Sequence, residues 1–96
     1  MDKKVVIDVL KSHEEEIRAQ GVQAVYLFGS TAREDAGRDS DIDIFVDHDE
    51  NFSLLDLSGL KLYLDELFDA DVDVTTRDSL HPMLKDDIVR QAEKVL

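Results

Sequence analysis

Asp41 and Asp43 stand two apart in the segment Asp39-Ser40-Asp41-Ile42-Asp43-Ile44-Phe45-Val46-Asp47. On a strand, side chains at i and i+2 leave the same face. The two carboxylates therefore project together, while Ile42, Ile44 and Val46 face a core. Like charges held side by side oppose each other's ionisation unless a cation lies between them. Aspartate oxygens are hard ligands, which favours Mg²⁺ or Mn²⁺, or Ca²⁺. Asp71 and Asp73 repeat the pattern, with Val72 and Val74 opposite. If the strands bearing the two pairs are neighbours, Asp73 completes a cluster of three carboxylates. Such a cluster suits two divalent ions clamping an in-line phosphoryl or nucleotidyl displacement. Asp71 reads as a solvent-facing residue beside the site. Asp39, Asp47, Asp49 and Glu50 read as a solvated rim, with Asp47 on the face of the metal pair.

Gly29-Ser30 supplies what a metal site alone lacks. A glycine directly after a buried strand lets a phosphate approach the backbone. A helix starting there offers free N–H groups and the positive end of its dipole. The Ser30 hydroxyl adds a donor, and Arg33, one turn on, can reach a phosphate oxygen. Lys61 and Arg77 are further candidate neighbours of a bound nucleotide.

These side chains need strands and helices to hold them. Val6, Val9, Leu10, His13 and Ile17 recur at helical spacing, which predicts a helix over 3–20 stopped by Gly21. Gln23 to Phe28 reads as a buried strand. A short helix is expected from Gly29 to about Ala36, a turn from Gly37 to Ser40, and a second strand from Asp41 to Asp47. Asn51 or Ser53 can cap a helix reaching Phe68, with Leu54, Leu57, Leu60, Leu64 and Leu67 on its buried side. Leu55, Leu62 and Tyr63 fall off that stripe and read as a partner surface. Asp71 to Thr76 is a third strand, and a last helix follows Pro82. The order α-β-α-β-α-β-α implies an α+β class, with a small mixed sheet and helices packed on it. His13 reads as a packing residue and His81 as a loop residue, and no pair of histidines has a metal-ligand spacing.

The chain has 96 residues, 11 Lys and Arg against 23 Asp and Glu, a formal charge of −12, and 43% hydrophobic residues. One domain spanning 1–96 is expected, with enough apolar residues for a core. An acidic chain has no general attraction for a phosphate backbone, so direct nucleic-acid binding is not expected. Anionic membrane surfaces are excluded on the same ground. There is no cysteine, hence no disulfide or thiolate chemistry. No apolar run approaches the ~20 residues of a membrane span, and the N-terminus has no signal-peptide pattern. The expected location is the cytoplasm.

The run Gly29-Ser30, then Ala32-Arg33, then Ser40-Asp41-Ile42-Asp43-Ile44, with Val72-Asp73-Val74 later and Leu80-His81-Pro82 before the last helix, resembles the minimal nucleotidyltransferases. These are the MNT-type members of the DNA polymerase β-like superfamily, which pair with HEPN-domain toxins. The resemblance covers most of the chain. It implies that Gly29 and Ser30 contact the terminal phosphates of an NTP, with Arg33 as a further phosphate ligand. It implies that Asp41 and Asp43 hold two Mg²⁺ ions, and that Asp73 completes the site and helps to activate the attacking hydroxyl. Polymerase-like relatives add domains that bind the acceptor, and 96 residues leave no room for one. The acceptor is then expected on a partner protein. The resemblance points to transfer of AMP from ATP to a HEPN toxin by its antitoxin, or to an antitoxin that neutralises its partner by binding alone. The sequence leaves self-association open.

Two other acid motifs fit less well. Asp39, Asp41, Asp43, Val46 and Glu50 fall at positions 1, 3, 5, 8 and 12 of an EF-hand loop, but Ile44 stands where that loop needs its turning glycine. Phosphatases of the HAD type place Asp-x-Asp at the end of an apolar strand, whereas here the apolar residues follow.

Overall fold

The computed structural model describes residues 3–29 and 42–96. Helix α1 (Lys3–Ser12) buries Val6 and Leu10, and α2 (Glu14–Ala19) buries Ile17. The single helix expected over 3–20 is thus two, broken at His13. The His13 backbone leaves helical geometry at φ −115° and ψ 23°. Its ring Nδ1 donates to the Val9 carbonyl at 3.0 Å, closing the end of α1. The chain turns at Gly21, where φ is +98°.

The sheet has four strands in the order β3-β2-β1-β4: β1 is Val22–Leu27, β2 Ile42–His48, β3 Val72–Thr76 and β4 Glu93–Lys94. β1 runs antiparallel to β2 and to β4, while β2 and β3 are parallel. A parallel pair needs a crossover, here α3 (Leu54–Phe68). The class is α+β with a mixed sheet, as expected. β4 has no counterpart in the expected order, because two residues carry no readable alternation. The expected helix after Pro82 begins only at Lys85 and runs to Gln91 as α4. The helix expected from Gly29 to about Ala36 lies, beyond Gly29 itself, outside the described residues.

Helices α1 to α3 share one core on one face of the sheet. Val25 and Leu27 of β1, Ile42, Ile44 and Val46 of β2, and Val72 and Val74 of β3 meet Val6, Leu10, Ile17, Leu60, Leu64 and Phe68 there. α3 starts at a capping box. The Ser53 hydroxyl accepts from the Asp56 N–H at 3.3 Å, and Asp56 accepts from the Ser53 N–H at 2.8 Å. Its first residue, Leu54, is exposed rather than buried. At roughly 100° per residue it lies about a quarter turn from the centre of the buried side. No described helix is long and apolar enough to cross a membrane.

Candidate active site

The parallel register sets Asp43 opposite Asp73. Register partners leave the same face, so both carboxylates point away from the helical core. The condition posed by the sequence, that the second and third strands be neighbours, is met. Asp43 is 2% exposed, whereas Asp73 is open to solvent. Asp41 precedes the first described residue of β2, so the third member of the cluster lies outside the described residues, as do Ser30 and Arg33.

Gly29 lies against the same carboxylate. Its φ is +60°, and a Cβ at this position would come within 2.8 Å of Asp43 Oδ2. The neighbouring Phe28 N–H donates to the Asp43 carbonyl at 3.1 Å, which locks the end of β1 to the acid strand. The place a side chain would take at Gly29 is thus filled by the Asp43 carboxylate, and only a glycine fits beside the acid. Two carboxylates on one face fit a hard divalent cation, and a backbone without a side chain next to them lets a phosphate approach.

β2 is central, so its second face is covered as well. Phe45, two residues on from Asp43, is fully buried there. Tyr26 stacks on Phe45 with ring centroids 4.7 Å apart, and Phe28 leans on it at 5.8 Å. The Arg77 guanidinium lies over both Tyr26 and Phe45, 4.9 and 5.2 Å from their centroids. Its Nε and Nη2 donate to the two oxygens of Asp47 at 2.7 and 3.1 Å. The hydrogen bond from Arg77 holds the Asp47 carboxyl below the usual carboxylate range, and Arg77 is raised in return.

Asp47 is therefore no solvated rim residue but half of a bidentate pair, and Arg77 is held by it. This shelf of Tyr26, Phe28, Phe45, Asp47 and Arg77 was missed as a unit in the sequence. The alternation of Asp43, Phe45 and Asp47 places all three on one face. Nothing local announces that Arg77, thirty residues later, closes over them.

Lys61 is also engaged elsewhere. Its ammonium donates to Asp65 at 3.0 Å, to Asp71 at 3.3 Å and to the Val72 carbonyl at 2.8 Å. Asp65 in turn accepts from the Val72 N–H at 2.8 Å, and that bond holds its carboxyl below the usual range. The Asp65 pairing raises Lys61. Lys61 and Asp65 thus clamp the residue before Asp73, positioning β3 rather than meeting a nucleotide. Asp71 is exposed beside the site, as its place in the sequence suggested. Among the described residues no group of three metal-ligating side chains is assembled. Asp43 and Asp73 are the two described members of the proposed ligand set.

A family model for the nucleotidyltransferase domain matches residues 10–95. A Methanocaldococcus jannaschii chain named "putative protein adenylyltransferase" is 44% identical over 98% of this chain and 94% of its own length. A solved structure described as a minimal nucleotidyltransferase superposes with a TM-score of 0.82 at 33% identity, covering 97% of this chain and 95% of that one. A second structure, at 25% identity and TM-score 0.64, covers 98% of this chain and 68% of the other. It is a tri-AMPylated Shewanella oneidensis HEPN toxin in complex with its MNT antitoxin.

Proposed function

The chain belongs to the nucleotidyltransferase domain family, and we propose that it transfers AMP from ATP to a hydroxyl of a HEPN-class partner protein. The observation that carries this reading is Asp43 opposite Asp73, with Gly29 packed against the Asp43 carboxylate. A relative named as a protein adenylyltransferase and an AMPylated HEPN toxin bound to its antitoxin support the choice of reaction and partner. We take 1–96 as one catalytic domain working in the cytoplasm, where ATP is at hand.

In this reading Asp41, Asp43 and Asp73 hold two Mg²⁺ ions. When bound, the ions supply Lewis acidity and neutralise charge around the α-phosphate. Gly29 and Ser30 receive the terminal phosphates through backbone and hydroxyl donors, and Arg33 adds a guanidinium contact. Asp73, the exposed member of the pair, faces the acceptor and takes the proton of its hydroxyl. The hydroxyl oxygen bonds to the α-phosphorus, the bond to the bridging β-phosphate oxygen breaks, and pyrophosphate leaves.

The test is transfer of label from α-labelled ATP to the product of the adjacent gene, with Mg²⁺ present. Asp43→Asn and Asp73→Asn should each cut transfer on the order of 100-fold or more, the upper end of what supporting residues of metal sites cost when lost. Both variants should keep the wild-type circular dichroism. Transfer unchanged in either variant removes that residue from the site. A partner that binds but is never labelled would instead make the chain a binding-only antitoxin.

A further inference from the structure

α3 buries one side and leaves three leucines in the open. Leu60, Leu64 and Phe68 enter the core, whereas Leu54, Leu55 and Leu62 are 82, 84 and 66% exposed. Single exposed leucines need no explanation. Leu55 and Leu62, however, are two helical turns apart and line up along the outermost edge of the helix.

Gly59 lies between them. Glycine is a poor helix former, yet a Cβ at this position would meet nothing within 4 Å. The fold of this chain gives no reason for a glycine there. The gap it leaves between two leucines admits the close approach of another backbone.

The same edge continues into Glu66 and Asp69, both exposed. The only basic residue of α3, Lys61, is held by Asp65 and Asp71. Two copies meeting through this edge would bring these acids together on chains of charge −12 each. The charge instead favours a different chain with Lys or Arg beside an apolar helix.

We propose that the outer edge of α3, centred on Leu55, Gly59 and Leu62, docks an apolar helix of the partner protein whose basic side chains meet Glu66 and Asp69. The proposal rests on the reading that the acceptor is a protein. α3 packs on the Val72 and Val74 face of the sheet, while Asp43 and Asp73 leave the opposite face. Holding the partner and modifying it are therefore separate surfaces, and docking leaves the nucleotide site open.

The experiment measures binding and label transfer separately, using the product of the adjacent gene as the probe. Leu55→Glu with Leu62→Glu should weaken binding at least 10-fold in calorimetry while leaving circular dichroism unchanged, because both positions are exposed. Gly59→Leu should weaken binding similarly, and Glu66→Lys with Asp69→Lys should weaken it most at low salt. Asp43→Asn should bind like the wild type and fail to transfer.

Wild-type affinity in the Leu55/Leu62 variant would overturn the proposal, as would the absence of any complex with the wild type. A wild-type dimer in sedimentation that the same two substitutions dissociate would also overturn it, by making a second copy the occupant. Binding through this edge without any transfer would refute the adenylylation reading and leave the docking edge standing.

Discussion

Gly29 and Asp43 are a single unit at the scale of residues. The backbone at Gly29 is left-handed, and the space its missing side chain leaves is bounded by the Asp43 carboxylate. Gly29→Ala should destabilise the chain by about 1–3 kcal/mol from backbone strain, read as a lower urea midpoint, and should lower transfer as well. Asp47 makes a second prediction. Its carboxyl sits below the usual range because Arg77 donates to it, so this pair stabilises the fold above about pH 4 and less as Asp47 is protonated. The stability difference between wild type and Asp47→Asn should be about 1 kcal/mol at pH 7 and close as pH falls below the ordinary aspartate range, read by urea denaturation at each pH. Gly29, Asp43 and Asp73 were legible in the sequence because strand alternation and a glycine after a strand are local signals. The Asp47–Arg77 pair was not, since its partners meet only after the sheet and the turn beyond β3 have formed.

Among the elements, α3 does the most to place the site. It carries the crossover that makes β2 and β3 parallel neighbours, and its Lys61 and Asp65 grip Val72 next to Asp73. Ser53→Ala removes the hydroxyl that caps its first turn and should cost about 1 kcal/mol, read as a lower urea midpoint. Its start at Ser53 and its end at Phe68 were readable from capping chemistry and leucine spacing. Leu54 was misplaced because a spacing of three from Leu57 carries it round the helix, away from the sheet. The break at His13 was hidden because the apolar spacing continues across it. β4 was unreadable because its two residues are placed by backbone pairing, Lys94 with Tyr26 and Glu93 with Leu27.

For the whole molecule, seven of the 23 acids fall into three groups. Asp47, Asp65 and Asp56 serve the fold through a guanidinium, a strand N–H and a helix cap. Asp43 and Asp73 face each other across two strands, where a cation is expected. Glu66 and Asp69 edge the exposed side of α3. If the second group awaits metal and nucleotide, Mg²⁺ with ATP must stabilise the folded chain by mass action. At a ligand concentration of 100 times Kd the gain is about 2.7 kcal/mol. That should raise the melting temperature by about 10 °C or more for a chain this small, and Asp43→Asn should lose most of the rise. A melting curve indifferent to Mg²⁺ and ATP would show that these acids do not form a binding site.

The close fit of Gly29 to the Asp43 carboxylate also ties the mutational histories of the two positions together. A lineage that keeps the acid cannot drift at the glycine, because every Cβ there meets Asp43 as well as the left-handed backbone. A lineage that replaced the aspartate with a smaller residue would be released from the first constraint and keep only the second. Substitutions at 29 and 43 should then be non-additive, with the loss of the acid tolerated before the loss of the glycine. Among descendants that had abandoned the chemistry, position 43 would change first, and the glycine would persist for a time as its trace.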